Sequence, residues 1–276
     1  MRPPERGAGG GVRWGACVLV VLVAAGCSRL TFIKPDLGRG DFERTAPELD
    51  IQTDPRHDGA RISLQQAQAA FSAGRLEEAA RFAEQSIEQN PDSAAAHTLR
   101  AVVADHRGEI ERAGEHYRRA VELAPHQGGM FNNYGTWLCA NGRAEESLGW
   151  FQRALADPNY PRRSTAMANA GACAIDAGRA EQGAKLLEAA LEQDPVNPVA
   201  LSAMARYEFN AGRAFQARAF SQRRLAAAPA DAASLLLASQ IETKLGDKEA
   251  ADRYVQRLRA EFPATSGSGT GDDGKR

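Results

Sequence analysis

The sequence predicts an all-α fold, a right-handed superhelical solenoid of six helix pairs, and three observations carry that prediction. First, one spacing recurs six times: a small residue, a Gly seven residues later, a small residue five later, and a Pro eleven or twelve beyond that. Second, the glycines at 74, 108, 142, 178, 212 and 246 step by 34, 34, 36, 34 and 34 residues. Third, larger apolar residues fall between the small ones at helical spacing: Leu76, Leu99, Tyr117, Phe151, Leu187, Leu201, Leu235 and Tyr254. A period in this range marks a stacked array, because two short helices bury too little apolar surface alone and must pack on their neighbours.

Each part of the spacing has a steric reason. The small residues Ala67 and Ala79, Ala101 and Ala113, Gly135 and Ser147, Gly171 and Gly183, Ala205 and Ala217, and Ser239 and Ala251 mark where paired helices cross. Larger side chains there would overpack the contact. The periodic Gly closes the first helix, where a residue tolerating positive φ is needed. Pro91, Pro125, Pro158, Pro195, Pro229 and Pro263 stop the second helix. The repeats run 60–93, 94–127, 128–163, 164–197, 198–231 and 232–263. This pattern resembles the tetratricopeptide repeat (TPR).

The chain outside the repeats has a different composition. Arg2, Arg6 and Arg13 precede an apolar run from Trp14 to Ala25, too short to span a bilayer comfortably and of signal-peptide length. Leu22-Val23-Ala24-Ala25-Gly26-Cys27 resembles a bacterial lipobox, so residues 1–26 read as a lipoprotein signal peptide and Cys27 as the lipidation site. Ser28 is not the Asp associated with inner-membrane retention, which favours the outer membrane, facing the periplasm. Residues 27–59, with Pro35, Pro47 and Pro55 and no apolar periodicity, read as a flexible tether. Residues 264–276, rich in Gly, Ser and Asp, read as a disordered tail.

Of the four cysteines, Cys17 lies in the signal peptide and Cys27 carries lipid, leaving Cys139 and Cys173. They lie one repeat apart on neighbouring first helices, so a disulfide is expected in an oxidising compartment. The alternative is a pair of buried free thiols acting as small hydrophobes.

No residue constellation points to catalysis, a cofactor or a metal. The histidines at 57, 97, 106, 116 and 126 are never three or four residues apart, so no two share a helical face as a ligand pair. There is no phosphate-cradling glycine loop. A formal charge of −1, or −3 without the three Arg and one Glu of residues 1–26, carries no basic excess for nucleic acid. The expectation is a binding protein. First-helix positions facing the inner groove nominate Leu64, Phe71, Val102, Asn132, Thr136, Ile175 and Phe209 as partner contacts. A chaperone-tail clamp wants Lys and Asn where this chain has Leu64 and Gln68.

Repeats three and four carry a more specific resemblance. Asn132-Asn133-Tyr134-Gly135-Thr136-Trp137-Leu138-Cys139, Asp157-Pro158-Asn159-Tyr160-Pro161 and Asn169-Ala170-Gly171-Ala172-Cys173 resemble the PilF/PilW family of type IV pilus biogenesis lipoproteins. Trp137 stands where the family would place Phe or Tyr. The resemblance implies a pilotin, a non-catalytic adaptor with pilus secretin subunits as partners. A general periplasmic scaffold that gathers envelope or peptidoglycan enzymes is the alternative.

Overall fold

The computed structural model describes residues 58–263, and the described residues form twelve α-helices in six antiparallel pairs. The pairs are α1 (Asp58–Ser72) with α2 (Leu76–Gln89), α3 (Ala94–His106) with α4 (Ile110–Leu123), and α5 (Gly128–Ala140) with α6 (Ala144–Ala156). They continue with α7 (Arg163–Asp176) and α8 (Ala180–Gln193), α9 (Pro198–Asn210) and α10 (Ala214–Ala227), and α11 (Ala232–Leu245) and α12 (Lys248–Glu261). The fold is an all-α TPR superhelix. Helix α1 starts at Asp58, two residues inside the stretch read as tether. The predicted signal peptide, Cys27, the rest of the tether and the tail from 264 lie outside the described residues.

The turn chemistry explains the element boundaries. All six periodic glycines adopt positive φ, from 73° at Gly74 to 82° at Gly246, closing the first helix of each pair. Each periodic Pro stands two residues past the last residue of its second helix. Four starts are capped by side chains: Ser93, Asn197, Asp231 and Asp247 accept from Ala96, Ala200, Ser234 and Ala250 backbone N–H groups.

Two layers follow from the packing. The first helices of successive repeats touch one another along the array, α1 on α3 through to α9 on α11. Each second helix reaches the next repeat through that repeat's first helix. The first helices therefore form the inner layer and the second helices the outer one. Ala67, Ala79, Ala101, Ala113, Ser147 and Ala217 are fully buried at the crossings, and Leu99, Phe151, Leu187, Leu201 and Leu235 fill the spaces between. Leu76 and Tyr254 are only half-buried. Tyr254 lies on α12, in the last described pair.

The two-residue lengthening between repeats three and four is a built loop. Asp157 accepts the Gly128 N–H at 2.8 Å and the Asn159 N–H at 2.9 Å. Arg163 donates to the Leu155 carbonyl at 2.6 Å and the Asp157 carbonyl at 3.2 Å. Tyr160 is buried against Gly128, where an added Cβ would lie 2.8 Å from the Tyr160 ring. Trp137 has a similar explanation, since a Cβ on Gly114 would come within 2.5 Å of its ring. Gly114 makes room for an indole that stacks on Tyr134 and meets Tyr117 at a tilt.

Candidate functional site

The inner layer divides the seven nominated residues. Leu64 is 3% exposed among Ala67, Ala95 and Leu99, and Val102 is buried beside Tyr134 and Leu138. Asn132 and Thr136 are also buried, held by a polar cluster rather than presented to solvent. The Asn169 side-chain amide donates to Asn132 Oδ1 at 3.2 Å and Thr136 Oγ1 at 3.3 Å, and Thr136 donates to the Asn132 carbonyl at 2.8 Å. These four offer no open surface in this conformation, which corrects their reading as free contacts. Phe71, Ile175 and Phe209 are half-buried. Phe71 meets His106 edge-on with ring centres 5.1 Å apart.

Asn169 was legible only as part of the family motif. It joins the same cluster as Asn132 because α7 packs on α5. Three buried polar atoms on α5 and α7 have no hydrogen-bond partner among the described residues: Asn133 Nδ2, Trp137 Nε1 and Asn169 Oδ1. Each such atom costs about 1–3 kcal/mol.

Cys139 on α5 and Cys173 on α7 are joined by a disulfide, with Cα atoms 5.9 Å apart. The bridge ties the inner helices of repeats three and four, beside Leu148, Phe151, Ala170 and Ala174.

Spacing along the sequence also concealed a histidine pair. His97 Nδ1 and His116 Nδ1 lie 3.0 Å apart, and His97 Nε2 lies 3.1 Å from the Pro91 carbonyl. That carbonyl can only accept, so His97 carries its proton on Nε2 and presents Nδ1 as the acceptor for His116 Nδ1–H. Around the pair stand Glu84 on α2, Asp92 on the following loop, Arg100 on α3, and Arg112 and Arg119 on α4. Burial first, then His97 and Arg100, push His116 down to about 4, and burial lowers His97. The unfolded chain takes up this proton near the ordinary value of 6.5, so stability declines as pH falls from there toward 4. In thermal melts, His116→Asn is expected to recover about 3 °C of the loss between pH 7 and pH 4.5, after allowance for solvent screening. An identical loss in the variant would remove the pair from the account.

No three His, Cys, Asp or Glu side chains among the described residues are placed to hold a metal ion. A profile of the tetratricopeptide repeat matches residues 64–128. The type IV pilus assembly protein PilF of Pseudomonas aeruginosa is 30% identical over 156 residues, covering 56% of this chain and 62% of PilF. The crystal structure of PilW, a widely conserved type IV pilus biogenesis factor, superposes with a TM-score of 0.67 at 29% identity, covering 74% of this chain and 94% of PilW. The Pseudomonas aeruginosa PilF structure gives 0.65 at 26% identity, covering 76% of this chain and 95% of that one.

This chain is a tetratricopeptide-repeat homologue of PilF and PilW. The sequence match spans about six tenths of the curated PilF chain, whereas the superposition follows nearly all of both solved structures. The homology therefore extends to the succession of helix pairs, and with it to a repeat scaffold.

Proposed function

We propose that this chain is a lipid-anchored adaptor of type IV pilus assembly, a pilotin that binds subunits of the pilus secretin and directs their multimerisation at the outer membrane. The observation that carries the reading is that its helix pairs follow PilW and PilF along almost the whole of those chains. A repeat scaffold of this kind suits a protein that binds.

On this reading Cys27 carries the acyl chains, and more than one chain on a single Cys gives lasting anchorage where one gives marginal binding. The tether then holds the repeats in the periplasm. Anchoring raises the local concentration of bound secretin subunits at the membrane without any new contact. Phe71, Ile175 and Phe209 are the nominated apolar residues still partly open to such a partner.

The test is a deletion strain separated into inner and outer membranes and blotted, without boiling, for the secretin multimer. Loss of the outer-membrane multimer is expected, restored by the wild-type gene and not by Cys27→Ser. An unchanged multimer in the deletion strain would overturn the pilotin reading and favour a scaffold for envelope enzymes. Full rescue by Cys27→Ser would overturn the anchor alone.

A further inference from the structure

A cleft of about 310 Å³ opens on the outer layer between α10 and α12, with α11 at its floor. Its walls carry Arg218 and Gln222 from α10 and Arg253, Tyr254 and Arg257 from α12. Glu242 and Asp247 also line it, but both carboxylates are engaged. Glu242 is buried and pairs with Arg218. Asp247 caps α12 by accepting the Ala250 N–H at 3.0 Å. Three guanidiniums thus stand in the lining against two carboxylates that already have partners.

One of those guanidiniums lacks an acceptor altogether, and a second lacks one on its Nε. Arg253 has no ion pair or hydrogen bond among the described residues, and it is exposed. Arg218 Nε is buried with no partner, although its Nη2 reaches Glu242. Burying a charged donor without an acceptor costs more than leaving a neutral one so. A carboxylate seated in the cleft would supply Arg253 with the acceptor it lacks, in the geometry that Arg recognises best.

An apolar anchor lies alongside. Phe215, 73% exposed, is the most exposed large hydrophobic side chain described. It stands three residues before Arg218 and seven before Gln222 on α10, so helical periodicity puts all three on one face. Tyr254 adds a half-buried ring on the α12 wall. The cleft is at the small end of ligand pockets, about 300–1,000 Å³, which suits one or two side chains of a peptide.

We propose that this outer cleft is a docking site for an acidic peptide segment of a partner protein, one whose carboxylates meet Arg253 and Arg218 and whose apolar side chain packs on Phe215 and Tyr254. The site lies on the opposite layer from the inner-face residues and stands independently of the pilus reading. Charge complementarity selects the partner's sign, and the exposed aromatic selects a peptide over a free anion.

Fluorescence anisotropy tests this with the full-length chain in detergent and a short fluorescein-labelled peptide of alternating aspartate and leucine. Saturable binding is expected, with the asparagine–leucine counterpart at least about tenfold weaker. Arg253→Glu is expected to weaken the acidic peptide by about tenfold and Phe215→Ala by about fivefold, with helical circular dichroism unchanged. Arg81→Glu on α2 serves as the remote control and should leave binding as it was. Equal binding of the two peptides, or an Arg253→Glu protein that binds as wild type, would overturn the proposal. So would binding to phosphatidylglycerol vesicles that Arg253→Glu abolishes while neither peptide binds, since the surface would then serve lipid.

Discussion

Gly183→Val is expected to unfold the protein at markedly lower temperature, with a loss of roughly 3 kcal/mol or more. Gly183 on α8 and Gly171 on α7 meet backbone to backbone. A Cβ on Gly183 would lie 2.5 Å from the Gly171 carbonyl oxygen, 2.6 Å from Ile175 Cγ1 and 3.0 Å from Ile175 N. A Cβ on Gly171 would lie 2.8 Å from the Gly183 carbonyl oxygen and from Leu187 Cγ. A flexible side chain can swing away from an intruding methyl, but a helix backbone moves only as a unit. Even Gly183→Ala should therefore cost about 1–2 kcal/mol, despite the ~1 kcal/mol that Ala gains over Gly in a helix interior.

Gly149 on α6 provides the control of opposite sign. A Cβ there meets nothing within 4 Å, and its φ lies outside the left-handed region. Gly149→Ala is thus expected to stabilise by up to about 1 kcal/mol. Urea midpoints for the two Ala variants would settle it: a Gly183→Ala protein as stable as Gly149→Ala would mean that α7 and α8 do not pack this closely.

Those glycines also show what the sequence made legible. Crossings, turns and stops depend on local sterics, so Gly171, Gly178, Gly183 and Pro195 announce their roles by residue type and spacing alone. The lengthened step of 36 residues likewise marked the Asp157–Pro161 loop before its hydrogen bonds were visible. Contacts between helices were a different matter. His97 and His116 share no helical face and meet only because α3 and α4 run antiparallel, which brings their rings together from separate helices. Gly114 has no place in the repeat pattern, and its use as a seat for Trp137 depends on the α4–α5 packing. The inner-face assignment faltered for a related reason. Periodicity identifies the helix face that carries Leu64, Val102, Asn132 and Thr136, but not how deeply each becomes buried. Asn132 and Thr136 became structural when Asn169 arrived between them from the next repeat. The outer cleft left no motif at all, because its arginines come from α10 and α12, in different repeats.

Replacing both Cys139 and Cys173 with Ala is expected to cost about 3–4 kcal/mol. The bridge spans 34 residues of sequence, and closing a loop of that size in the unfolded chain corresponds to roughly 4 kcal/mol on the loop-entropy account. In a repeat array this loss is not shared evenly, because stability is a sum of intrinsic and nearest-neighbour terms and the bridge bears on one interface. The seam between repeats three and four carries the longer loop and, on its two inner helices, Asn133, Trp137 and Asn169 with unpartnered buried atoms. The disulfide fastens α5 to α7 across that seam, offsetting those penalties. In the double variant hydrogen exchange should accelerate over wild type most in α5 and α7, the helices that the bridge joins. Reduction of the wild-type protein should reproduce the change. If dithiothreitol moved neither the unfolding midpoint nor the exchange of α5 and α7, the bridge would have no part in holding the seam.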